Sequence, residues 1–297
     1  MRAPVDSFRA GAPDAAALLV TALILILTLV IVSSPAPLRA QDGDPEMAPR
    51  WSRVLPTPFT QNAERPERAV DSTVRERILS PKCPKASFDY LVSFPQDMDR
   101  GGPVDSSLRA LSQTYAAKIS EGKAALERDA AECDPDFPDY AYTSVFHVTS
   151  SPYRVSASAF SVLFATGEYG GGGHGTYSYL SVNYLADGTL ITLRRLFPDA
   201  AASLPRLWNS IYRGFCKNNQ SLPSFYGEGA CGGAIPPVPA PLKNPQAALD
   251  DAGHLLLTSL GLSVVLGGYD GYGFQGAFLD MPKSELLAMG ADPAIWR

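Results

Sequence analysis

His174 follows four consecutive glycines, Gly170–Gly173, and Glu168 precedes them within "GEYGGGGHGTYSY" (residues 167–179). Three chemistries could use such a stretch. A phosphate cradle needs glycines that open a helix and a nearby lysine, so that N–H groups converge on the anion. Here the run lies between two strand-like patterns with no lysine beside it, and the phosphate reading is dropped. A metal-dependent hydrolase would use His174 with a carboxylate such as Glu168 or Asp270, because imidazole and carboxylate both suit zinc. Such a site needs three or four ligands, and His147 and His254 sit in ordinary strand alternation. The favoured reading makes His174 a hydrogen-bonded latch in a turn, with the hydrolase kept as the alternative.

Nucleophilic catalysis finds no Gly-x-Ser-x-Gly elbow. The facing carboxylates of glycoside hydrolysis cannot be picked out by spacing either. Catalysis therefore has no support in the sequence, and no cofactor is expected. Aromatic residues are the remaining lead. Tyr169, Tyr177, Tyr179 and Tyr184 surround the glycine run, and Tyr269, Tyr272 and Phe274 recur in "GGYDGYGFQG". Tyrosines at strand ends can stack on sugars or anchor a protein partner; each one singly is more simply a core residue. The candidate binding set is Tyr169, Gly172, Gly173, His174, Tyr269, Tyr272 and Gly276.

The segments that carry these residues begin after residue 40. Residues 15–33 are an uncharged apolar run preceded by Arg2 and Arg9 and followed by "PAPLRA", ending at Ala40. That order is a secretory signal; an uncleaved anchor competes, because the run approaches the length that spans a bilayer. Either way the remainder is extracytoplasmic, periplasmic or secreted, and membrane contact comes only through this segment. The net charge of −5 leaves no basic footprint for nucleic acid. All four cysteines follow the apolar segment, which suggests disulfides. Of three connectivities, Cys83–Cys133 with Cys216–Cys231 closes the shortest loops; zinc knuckles are excluded by spacing.

Residues 41–82 hold six prolines, many charges and no sustained apolar period, and read as a tether. Alternation at Phe88, Tyr90, Val92 and Phe94 predicts a half-buried strand. Val104, Leu108, Leu111, Tyr115, Ile119 and Leu126 then recur at helical steps, with Asp105 or Ser106 as N-cap. Strand-like runs follow at 139–150, 154–169 and 176–193, the last containing the hairpin signal Asp187-Gly188. Leu204, Leu207, Ile211 and Phe215 predict a second helix. Residues 217–245 form a loop, and the chain finishes with two or three strands and a short helix from about Lys283. The expected fold is α+β, antiparallel sheet packed against a long amphipathic helix and a second helix. One domain over 83–292 is expected, with two subdomains (83–150 and 151–292) as the alternative.

Two stretches carry a family resemblance. "GEYGGGGHGTYSYLSVNYLADGTLITLRRLF" resembles a pattern of glycines and His-Gly before a strand, then an Asn/Asp-Tyr position, a turn and "L-LF". "GLSVVLGGYDGYGFQGAFLDMPKSEL" resembles the closing tyrosine, tyrosine, glycine and strand-to-helix motif of the same family. The family is the secreted domain of unknown function in RsiV-like anti-sigma factors, whose extracellular part binds lysozyme; it also stands beside peptidoglycan deacetylase domains. The glycine run is longer here, Tyr269 and Tyr272 are closer, and 216–245 reads as an insertion. Fourteen residues before the apolar run are too few for a sigma-binding region, and no deacetylase domain follows. What the resemblance implies is a fold and an extracytoplasmic binding role, with a lysozyme-like protein or a cell-wall glycan as partner. A purely structural envelope protein is the remaining alternative.

Overall fold

The computed structural model describes residues 58–64, 66, 71–95, 103–134, 136, 142–171, 175–217, 255–266, 268–269 and 277–297. The mixed α+β class holds, in two sheets of six and three strands. The elements in chain order are α1 (Pro58–Asn62), β1 (Asp71–Leu79), β2 (Ser87–Pro95) and α2 (Pro103–Asp129). β3 (Thr143–Arg154), β4 (Ala159–Gly170), β5 (Thr176–Leu185), α3 (Leu193–Leu196) and α4 (Ala200–Lys217) follow. β6 (Leu255–Thr258), β7 (Gly261–Leu266), β8 (Gly268–Tyr269), β9 (Ala277–Pro282) and α5 (Lys283–Ala288) complete the order, with a closing 3-10 turn at Pro293–Trp296.

The large sheet runs β1-β2-β3-β4-β5-β8 and the small one β6-β7-β9. All pairs are antiparallel except β2 with β3. A parallel pair needs a long crossover, and α2 supplies it. This helix starts at Pro103, where a missing N–H costs nothing, so Asp105 and Ser106 lie in its first turn rather than at the cap. Val104, Leu108, Tyr115 and Leu126 are buried against Phe88, Tyr90, Phe146, Val148, Val162 and Phe164 of the sheet. Leu111 and Ile119 pack on the same cluster, partly buried. Cys83, in the β1–β2 turn, is bonded to Cys133, just beyond the helix, with Cα atoms 5.8 Å apart. Cys231 and the second bridge lie outside the described residues.

Opposite α2, the small sheet packs on the large one. Asn183 of β5 fastens them: its Oδ1 accepts from the Ser161 hydroxyl (2.7 Å) and the Leu257 N–H (2.9 Å), and its Nδ2 donates to the Leu255 carbonyl (2.7 Å). Tyr153, Leu163, Ala165 and Tyr179 meet Leu256 and Val265 in the same layer. The far side of the small sheet is closed by α4, α5 and the closing 3-10 turn through Leu204, Leu207, Trp208, Ile211, Leu286 and Trp296.

Three sequence expectations are corrected. Order begins well before residue 87. α1 lies within the supposed tether, where Asp280 accepts from the Phe59 N–H (3.0 Å) and Ala63 joins the inter-sheet core. β1 was hidden because it is an edge strand, "DSTVRERIL", held by backbone pairing to β2 rather than by an apolar stripe. The turn at Asp187-Gly188 is real, with Gly188 at φ 85°. The chain returns from it only as a single bridge, Leu190 to Tyr184, before α3. Finally, β3 crosses the 150/151 junction, and the sheet is continuous on both sides of it.

Candidate functional site: the glycine and tyrosine edge

The glycine run is the connection of the β4–β5 hairpin. Glu168 pairs across to Thr176 and Gly167 to Tyr177, so the β4–β5 ladder ends at Glu168, while Gly170 closes β4 opposite Ser144 and Gly171 lies just beyond it. Gly171 has φ 80°, a conformation glycine adopts without the steric cost of a Cβ. Gly170 has open space around its missing Cβ and is not there for close packing. Gly172, Gly173 and His174 lie outside the described residues, as do Asp270, Tyr272 and Gly276.

On its other side β5 pairs with β8: Thr176 stands opposite Tyr269 and Tyr177 opposite Gly268. Two glycine- and tyrosine-rich stretches distant in sequence therefore share one edge of the large sheet. Tyr269 is thereby set beside the hairpin. Tyr169 is placed differently: it is 9% exposed, opposite Val145 on the face away from α2. Tyr179 lies in the inter-sheet core, and burial pushes its hydroxyl pKa up to about 12. Tyr184 stacks on Phe160, centroids 5.9 Å apart. These three tyrosines therefore pack within the fold, Tyr184 at the end of β5 far from the hairpin.

Glu168, named as a metal ligand in the hydrolase reading, points to the α2 side. There it pairs with Lys118 at 3.7 Å. Among the described residues no group of three or more His, Cys, Asp or Glu side chains is placed to hold a metal. One small cavity of about 10 Å³ lies between Asn183, Ile191, Leu196, Leu255 and Leu262, room for roughly one water.

From sequence alone His147 is a residue in ordinary strand alternation, and Asp89 is not singled out. His147 Nε2 lies 3.4 Å from Asp89 Oδ1, with side-chain exposures of 4% and 13%; Arg75 approaches the other carboxylate oxygen at 3.8 Å. Burial pulls the His147 pKa below its ordinary value, and Arg75 acts in the same direction. Asp89 opposes both without reversing them. A neutral imidazole beside a carboxylate can accept a proton. The sequence signal was a titratable residue inside each of two apolar strands, "SFDYLV" and "SVFHV". Only the parallel pairing of β2 and β3 brings the two together.

Fold and edge thus define an α+β domain of two sheets with a crossover helix, a disulfide staple and a glycine–tyrosine edge. No family model and no curated protein matches the sequence. Solved structures similar to this chain include two DUF3298 family proteins, a domain of unknown function. One, from Pseudomonas aeruginosa PAO1, has 14% identity and a TM-score of 0.45, covering 77% of this chain and 97% of that one. The other, from Bacteroides fragilis, also has 14% identity and a TM-score of 0.45, covering 79% of this chain and 98% of that one.

Proposed function

We propose that this chain is an exported, non-catalytic binding module at the cell envelope, engaging a lysozyme-like protein or a cell-wall glycan. The observation that carries the reading is the pairing of Thr176 with Tyr269. It sets the two stretches on which the RsiV-type resemblance rests side by side at one sheet edge. Tyrosines at a sheet edge suit protein surfaces and sugar rings, since a tyrosine supplies apolar area and a hydroxyl at low entropy cost. Export is supported by the N-terminal apolar segment and by the Cys83–Cys133 bridge, a bond that persists in oxidising compartments. Among the described residues no helix is long and apolar enough to cross a membrane. The hydrolase reading is weakened by the Glu168–Lys118 pair.

The test is titration of the folded protein against lysozyme and against soluble peptidoglycan fragments, followed by Gly171→Val. Valine tolerates φ 80° poorly, so this substitution should distort the rim and weaken binding at least tenfold while the far-UV spectrum is kept. Failure to bind either ligand by a folded protein removes the proposal.

A further inference from the structure

The opposite edge of the large sheet belongs to β1. Among the described residues it pairs with β2 alone, and Thr73 through Arg77 are all exposed. Val74 is 55% exposed. An edge strand exposed in this way is a template for another strand, and its side chains decide which strand fits.

Residues directly opposite in an antiparallel ladder share a face. In a symmetric pairing of β1 with β1 of a second copy, the two-fold axis must therefore pass through one residue position. Centred on Glu76, the pairing sets Glu76 against Glu76 and Arg75 against Arg77. Centred on Arg75 or Arg77, it sets an arginine against itself. Like charges directly opposite are destabilising, so these registers are closed. Centred on Thr73, it pairs five positions and leaves Val74 opposite serine. Centred on Val74, it pairs seven positions, 71–77. Val74 then meets Val74, Arg77 meets Asp71 twice, Arg75 meets Thr73 and Glu76 meets Ser72.

The electrostatics within one copy favour the same register. Glu76 already accepts from the Tyr90 hydroxyl and lies 3.6 Å from Lys123, so it can stand opposite a serine without a new cation. Arg75 has Asp89 at 3.8 Å. Arg77 stands opposite Asp89 in the β1–β2 ladder but makes no ion pair among the described residues, and this register sets it opposite Asp71 on its open side.

We propose that the β1 edge is a homodimer interface, two copies joined antiparallel about Val74 into one continuous sheet. Closed two-fold pairing of identical patches is the commonest form of oligomer. The glycine–tyrosine edges at β8 lie at the two far ends of such a sheet, so dimerisation leaves both open. The charges at 75–77 guard the edge against other registers and against open-ended stacking.

The experiment uses the full-length chain, with light scattering across protein concentration and cysteine cross-linking. Val74→Cys is expected to give a covalent dimer on mild oxidation, whereas Leu79→Cys, equally exposed but outside the paired stretch, is not. R77D should weaken the dimer at least tenfold, and R77D with D71R should restore it. A monomer at every concentration overturns the proposal. So does a dimer indifferent to R77D, or one unrescued by the double substitution; either points to another surface. Binding of an extended acidic peptide to β1 in place of self-association would likewise overturn it. All four substitutions are on exposed or strand-end positions remote from the β8 edge, so ligand binding there is read separately.

Discussion

Thr176 and Tyr269 face each other as neighbouring residues of β5 and β8, although α3, α4, β6 and β7 lie between them in sequence. That pairing makes one edge from two glycine-rich stretches, and the residues around it supply the stability it needs.

Asn183 is the point where the sheets are fastened. Asn183→Ala strands the Leu257 N–H, the Leu255 carbonyl and the Ser161 hydroxyl in the interior. A buried group left unpaired costs about 1–3 kcal/mol. The expected loss is about 3 kcal/mol by urea denaturation. Asn183→Asp should fare no better, because the Leu255 carbonyl then loses its donor.

The Cys83–Cys133 bridge closes a loop with a sequence separation of 50. The chain-entropy model assigns such a loop about 4 kcal/mol. Replacing both cysteines by alanine should lower stability by about that amount, with β1, β2 and α2 losing hydrogen-exchange protection first.

His147 makes stability depend on pH. Its folded pKa is lowered, chiefly by burial, so below the unfolded value of about 6.5 the unfolded chain binds the extra proton. Stability is therefore present above that pH and falls as pH drops through it. Denaturation between pH 7.5 and 5 should show this decline, and His147→Gln should flatten it relative to the parent. An identical slope in both proteins would remove His147 from the account of acid sensitivity.

Gly122 sits inside α2, where alanine ordinarily stabilises. Here a Cβ would come within 2.3 Å of the Phe88 ring, and Phe88 is buried beneath the helix. Gly122→Ala is expected to destabilise by about 1–3 kcal/mol, the cost of overpacking. A rise in melting temperature would show that the ring has room to move.

Legibility in the sequence followed local pattern. α2 was readable because Val104, Leu108, Tyr115 and Leu126 repeat at helical steps and bury that face. The β4–β5 hairpin was readable because two alternating runs flank the glycines, and α5 because Lys283 opens it where the strand ends. β1 was not readable, since Arg75, Glu76 and Arg77 are exposed at an edge and leave no apolar alternation. The His147–Asp89 contact depends on a parallel register that no local pattern encodes. The role of Asn183 was half visible, as a motif position whose partners on β6 lie far along the chain.

The most direct measurement is calorimetric titration of the folded protein with lysozyme and with soluble peptidoglycan fragments, repeated on Gly171→Val. Saturable binding to one of the two, weakened at least tenfold by the substitution while unfolding remains cooperative, is the expected result. No heat with either ligand, or equal affinity before and after the substitution, would contradict a binding role for the edge that Thr176 and Tyr269 build.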